Sequence, residues 1–133
     1  MPATELQDDI DRFYSDYGRA FTARDLAALG ALCEFPLLLA DSAGIRQIED
    51  AGFFSGLFER FARSTWATTR IDGTSKFAMG EDGAMLTIAF TRLREDGSEL
   101  APEEIPFPRG CSYFLRRRGN GWKLVGLAEP IGR

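Results

Sequence analysis

"YGRAFTARDLAALGALCEFPLLLADSAG", residues 17 to 44, carries the reading of the fold. It starts inside a helix. Leu6, Ile10, Phe13, Tyr14, Tyr17 and Phe21 recur at helical spacing, so residues 5–21 read as one amphipathic helix. Thr4-Glu5-Leu6-Gln7 has the form of a capping box at its start, and Asp8, Asp9 and Asp11 lie early, where the helix dipole favours negative charge. Asp25 can cap a second, shorter helix with Leu26, Leu29, Leu32 and Cys33 on one side, and Pro36 forbids its continuation. Leu37 to Asp41 then becomes a short strand, closed by "DSAG" with Asp at the first turn position and Gly at the fourth.

That ending poses the functional question. Leu37, Leu39 and Asp41 alternate onto one face, so if the leucines point inward the carboxylate does too. The bland reading is equally physical: an aspartate that starts a turn accepts backbone N–H bonds and needs no other role.

Downstream, Ile45 to Ile48 can return as a second strand, and Asp50 to about Arg63 reads as a helix whose buried stripe is Phe54, Leu57, Phe58 and Phe61. Four strand candidates follow: Trp66–Met79, Ala84–Arg94, Gly110–Arg118 and Trp122–Glu129. Helices first and a meander after them predict an α+β fold, three helices packed on a strongly curved, mostly antiparallel sheet, in one domain spanning residues 1–133. The segment 95–109, with Pro102, Pro106 and Pro108, is long for a hairpin loop and is expected to fold over the rim of the cavity or the sheet edge rather than extend into solvent.

Composition excludes much chemistry. The chain has no histidine, which removes Ser-His-Asp and Cys-His pairs, His-ligated zinc and an imidazole base. No glycine-rich phosphate loop occurs, and no cofactor is implied. A net charge of −4 argues against a nucleic-acid surface. The run Arg116-Arg117-Arg118 reads as a solvated strand end. No run approaches the roughly 18 apolar residues of a membrane span. Cys33 and Cys111 lack metal spacing and read as reduced thiols, so a cytoplasmic protein is expected.

The order helix, short helix, hairpin, helix and meander, the aromatic third helix and the ending "GNGWKLVGL" together resemble the nuclear transport factor 2-like superfamily, the cone-shaped fold of ketosteroid isomerases and polyketide cyclases. The resemblance covers nearly the whole chain. It implies an apolar pocket for a small hydrophobic ligand, with Phe13, Leu39, Phe58, Trp66, Phe90 and Phe114 as expected wall residues, and a homodimer formed through the sheet. Against the ketosteroid isomerases it implies Asp41 as proton-shuttling base and Tyr17, eight residues before Asp25, as oxyanion donor. Ser112 stands where that family places a protonated acid, so the third group departs from the pattern. An epoxide-hydrolase-like arrangement would nominate Asp41, Arg92 and Glu129, but their spacing does not insist on it. Two readings stay open: a metal-free enzyme of proton transfer beside a carbonyl, or a non-catalytic domain that binds a ligand or a protein.

Overall fold

The computed structural model describes residues 3–78, 80–105, 107, 109–119 and 121–129. Helix α1 (Ala3–Thr22) is followed by α2 (Leu26–Ala31), then by the hairpin β1 (Cys33–Asp41) and β2 (Gly44–Ile48), and by α3 (Gly52–Ala62). Strands β3 (Thr68–Ala78), β4 (Gly83–Leu93), β5 (Gly110–Arg118) and β6 (Gly121–Ala128) complete the chain. The six strands form one sheet in the order β2-β1-β6-β5-β4-β3. Every pairing is antiparallel except β1 with β6. This is the expected α+β architecture of three helices on a mostly antiparallel sheet.

Alternation sorts the sheet into two faces. On β4, Ala84, Leu86, Ile88, Phe90 and Arg92 are buried, while Met85, Thr87, Thr91 and Leu93 are half-buried and Ala89 is exposed. The buried set meets Ile10, Phe13, Tyr17 and Ala20 of α1 and Phe54, Leu57, Phe58 and Phe61 of α3 in one core. Leu37 and Leu39 of β1 also point into it.

Local chemistry explains most boundaries. Asp25 caps α2 by accepting the Ala28 N–H at 3.0 Å. Helix α1 starts at Ala3, so Thr4 lies inside it rather than ahead of it, and the Thr4 side chain of the expected capping box lies outside the described ones. Strand β1 starts at Cys33, four residues before the expected position, and runs through Pro36. Its pairing with β6 shifts register between Cys33 and Leu38, so the missing proline N–H falls where the ladder is already interrupted.

The segment after β4 is docked, as expected. The Leu100 N–H donates to the Arg92 carbonyl at 3.0 Å, and Leu100 and Ile105 are buried. A 3₁₀ turn (Pro102–Glu104) follows, with Glu104 paired to Arg94 at 2.9 Å, while Pro106 and Pro108 lie outside the described residues. In the arginine run, Arg118 pairs with Glu34 and Arg117 lies over the Trp122 ring, 4.8 Å from its centroid. Among the described residues no helix is long and apolar enough to cross a membrane.

Candidate functional site: an aromatic cavity around Arg92

Between the sheet and α1 lies a cavity of about 250 Å³. Helix α1 contributes Tyr14, Tyr17, Gly18, Phe21 and Thr22, one stripe at helical spacing. Leu57 comes from α3, Trp66 from the connection to β3, and Thr69 and Ile71 from β3 itself. Phe90 and Arg92 come from β4, Cys111 and Tyr113 from β5, Leu127 from β6, and Phe107 from the docked segment.

Arg92 is the unusual member. It is 8% exposed, yet strand parity puts it on the buried face with Leu86, Ile88 and Phe90. Aromatic rings enclose its guanidinium: the centroids of Phe90, Phe61 and Trp66 lie 4.2, 5.1 and 5.5 Å from its central carbon. Its Nη1 donates to Thr69 Oγ1 at 2.8 Å, and Trp66 Nε1 donates to the same oxygen at 3.0 Å. Its Nε is buried with no hydrogen-bond partner among the described residues. Burial pushes the arginine below its ordinary value, but a guanidinium stays charged at any physiological pH.

The groups around it are neutral. Burial raises Tyr17 and Tyr113 well above the ordinary phenol range and raises Tyr14 as well, so all three are protonated donors at neutral pH. Burial also pushes the Cys111 thiol up to about 12, which removes it as a nucleophile. The three tyrosines form a cluster, with Tyr113 centred 5.4 Å from Tyr17 and 5.5 Å from Tyr14. Among the described residues no cluster of three carboxylates or thiols has the geometry of a metal site.

Of the residues singled out from the sequence, Tyr17, Trp66 and Phe90 line this cavity. Asp41 does not. Its carboxylate accepts the Ala43 N–H at 2.9 Å and pairs with Arg46 at 3.2 Å, within the β1–β2 turn. Its place supplies the reason, since Asp41 ends β1 opposite Gly44 of the hairpin, and β1 lies three strand spacings, roughly 14 Å, from the strand that carries Arg92. Ser112 sits on the opposite face of the sheet, its hydroxyl 2.9 Å from that of Thr87. Phe114 shares that outer face and packs over Gly126. Phe13 and Leu39 are buried elsewhere in the core, and Phe58 packs edge-on behind Phe21 at 5.1 Å. Neither Asp41 nor Glu129 is within ion-pair distance of Arg92.

Twelve of the fifteen described wall positions lie outside the site residues expected from the sequence, Arg92 and Phe107 among them. Arg92 carries a legible signal, because it continues the apolar alternation of its strand. Phe107 carries none, because its place depends on how the long segment folds back.

No curated protein matches this chain. Among solved structures, an uncharacterised protein with a cystatin-like fold from Caulobacter vibrioides superposes with a TM-score of 0.68 at 11% identity, covering 97% of this chain and 91% of that one. A candidate ketosteroid isomerase from Shewanella frigidimarina gives 0.64 at 10% identity, covering 88% and 90%. The association domain of C. elegans CaMKII gives 0.64 at 18%, covering 94% and 95%. Likeness at such identities establishes the fold alone. The family is established by sequence: residues 7–130 match the family described as NTF2-like protein (DUF6841), and the chain belongs to it.

Proposed function

We propose that this protein binds a small cyclic, largely apolar molecule in the cavity beneath α1. The observation that carries this reading is a 250 Å³ space walled by aromatic side chains and a few convergent polar groups, the ordinary composition of a ligand site. The volume falls just under the roughly 300 Å³ at which pockets for drug-sized molecules begin, so a one- or two-ring ligand fits better than a steroid.

Binding is favoured over turnover. Proton transfer beside a carbonyl needs a base at the ligand, and Asp41 would serve only if its turn opened and the carboxylate left Arg46. Tyr17 is in the wall, and as a neutral phenol it suits hydrogen bonding to a carbonyl oxygen.

Gly18 offers the test. It lines the cavity from α1, and a Cβ there would meet nothing within 4 Å, so the longer side chain of Gly18→Leu would take up part of the space. Replacing a helical glycine should also add up to about 1 kcal/mol of stability. Calorimetric titration with a panel of one- and two-ring compounds should give binding to the wild type and loss of it in Gly18→Leu. A panel that binds neither protein, or both equally, overturns the reading.

We also propose that the outer face of the sheet pairs with a second copy. Phe77, Met85, Phe114 and Leu38 stand in one row across it, through the registers Phe77–Met85, Met85–Phe114, Phe114–Gly126 and Gly126–Leu38. Phe77 and Leu38 are each about half exposed at the two ends of that row, an unusual placement for large apolar side chains. Sedimentation at micromolar concentration should give a dimer that Leu38→Asp dissociates; a clean wild-type monomer removes this claim.

A further inference from the structure

The cavity holds a charge that nothing around it balances. Other arginines near this end of the sheet have carboxylates: Arg70 pairs with Asp72 at 2.7 Å and Glu99 at 3.6 Å, and Arg94 with Glu104 at 2.9 Å. Arg92, far more buried than either, forms no ion pair among the described residues. A buried cation without a counter-ion is costly, and the aromatic faces around Arg92 recover only part of that cost. The titratable groups facing it, Tyr14, Tyr17, Tyr113 and Cys111, are all neutral at physiological pH.

A second observation points the same way. Among the described residues no Asp, Glu, His, Asn or Gln lines the cavity, so no wall side chain carries a negative charge or is an acceptor only; Arg92 and Trp66 only donate, and the hydroxyls of the wall can donate or accept. Thr69 Oγ1 already accepts from both Arg92 and Trp66, which leaves its own proton to donate. Among the phenols, Tyr14 and Tyr113 hydrogen-bond each other, and Tyr17 adds a further hydroxyl to the wall. Nη1 is committed to Thr69 and Nε is enclosed by protein atoms, so a ligand carboxylate would meet the guanidinium where Arg92 forms part of the cavity wall.

We propose that the ligand of this cavity is an anion, a small aromatic or alicyclic carboxylate whose ring lies among Tyr17, Phe21, Trp66 and Phe90 and whose carboxylate meets the guanidinium of Arg92. This rests on the reading of the cavity as a ligand site and adds the charge of the ligand to it. The carboxylate supplies the counter-ion that the fold omits, and the donors around it stay in place when it leaves. No covalent step is involved.

The experiment compares matched pairs of probes on the full chain: benzoate, cyclohexanecarboxylate and 2-naphthoate, each against its neutral primary amide, by calorimetry at neutral pH. At least one acid should bind wild type tenfold or more tightly than its amide. Arg92→Met, which keeps length and loses charge, should bring acid and amide to within about twofold. Arg92→Lys should retain a reduced preference, because a point charge replaces the planar fork. Amides bound as well as or better than their acids overturn the anion proposal and leave the ligand site standing. A full preference for acids surviving in Arg92→Met overturns it too. If no acid and no amide binds wild type, both readings fall. The acid-to-amide ratio on wild type decides the matter even if a variant does not fold.

Discussion

Asp41 and Arg92 occupy equivalent places in two strands and meet opposite fates. Each ends an apolar alternation, Leu37-Leu39-Asp41 on β1 and Leu86-Ile88-Phe90-Arg92 on β4. Asp41 comes out beside the exposed strand β2, where a backbone N–H and Arg46 satisfy it. Arg92 stays under α1, α3 and the docked segment, ringed by aromatic side chains. Parity fixes the face on which a side chain lies, but what covers that face decides whether its charge is solvated or enclosed. The enclosed charge is the one that calls for a ligand.

The largest effect should separate the two regions through their backbones. At Gly110, opposite Ala89 where β5 starts, φ is 141° and a Cβ would lie 2.2 Å from the Ile88 carbonyl oxygen. At Gly44, the residue paired with Asp41, φ is 122° with open space around it. Gly110→Ala should therefore cost roughly 3 kcal/mol or more, against about 1 kcal/mol for Gly44→Ala. Denaturant unfolding of both variants measures it, and equal costs would mean that β4 and β5 are not held this closely.

Ionisation gives the next contrast. Cys111 has its thiol raised from 9.0 to about 12. Above pH 9 the unfolded chain loses that proton first, so stability that is whole below pH 9 is lost as pH climbs toward 12, at up to about 1.4 kcal/mol per pH unit. Cys111→Ala should flatten the dependence of unfolding free energy on pH between 9 and 11. An unchanged slope would show that the cavity floor tolerates an anion made by the protein itself.

A smaller shift, and of opposite sign, is expected at Arg92. Exchanging a buried, unpaired cation for an apolar chain of similar length relieves its desolvation, while it loses the Thr69 bond and the aromatic contacts. Arg92→Met should stabilise the ligand-free protein by about 1 kcal/mol, seen as a higher denaturant midpoint. A loss of 3 kcal/mol instead would mark Arg92 as a structural cation and erase the contrast with Asp41.

Much of the fold is open to sequence reading because its determinants are local. The Asp25 cap, the Phe54-Leu57-Phe58-Phe61 stripe and the alternation of β4 and β5 are each set within one element. The candidate site is only partly open. Tyr17, Trp66 and Phe90 can be read from stripe and strand, whereas Phe114 and Ser112 depend on which face of β5 the helices cover, and that is a tertiary choice. Asp41 rests on parity and on the family resemblance, and parity is blind to strand order: β6 and β5 come between β1 and β4. In the sequence Arg92 suggests only a bridge between two acids, when its more telling property is having neither.

Asp41→Asn is the smallest expected effect and the sharpest check on the comparison. Asparagine keeps the Oδ1 that accepts the Ala43 N–H, so the turn should persist. It loses the pairing with Arg46, whose side chain is 51% exposed, and such pairs contribute less than about 1 kcal/mol. The melting temperature should fall by no more than a few degrees, and affinity for any cavity ligand should not change, because β1 contributes no wall residue. Asp41→Ala should cost somewhat more, since it leaves the Ala43 N–H to find water. The functional arm is solvent deuterium exchange into cyclic ketones, with Tyr17→Phe alongside. If wild type accelerates exchange and Asp41→Asn abolishes it while the melting temperature stays put, the turn carboxylate does reach the substrate. The hairpin would then have to open in solution, and proton transfer would replace binding as the reading of this cavity.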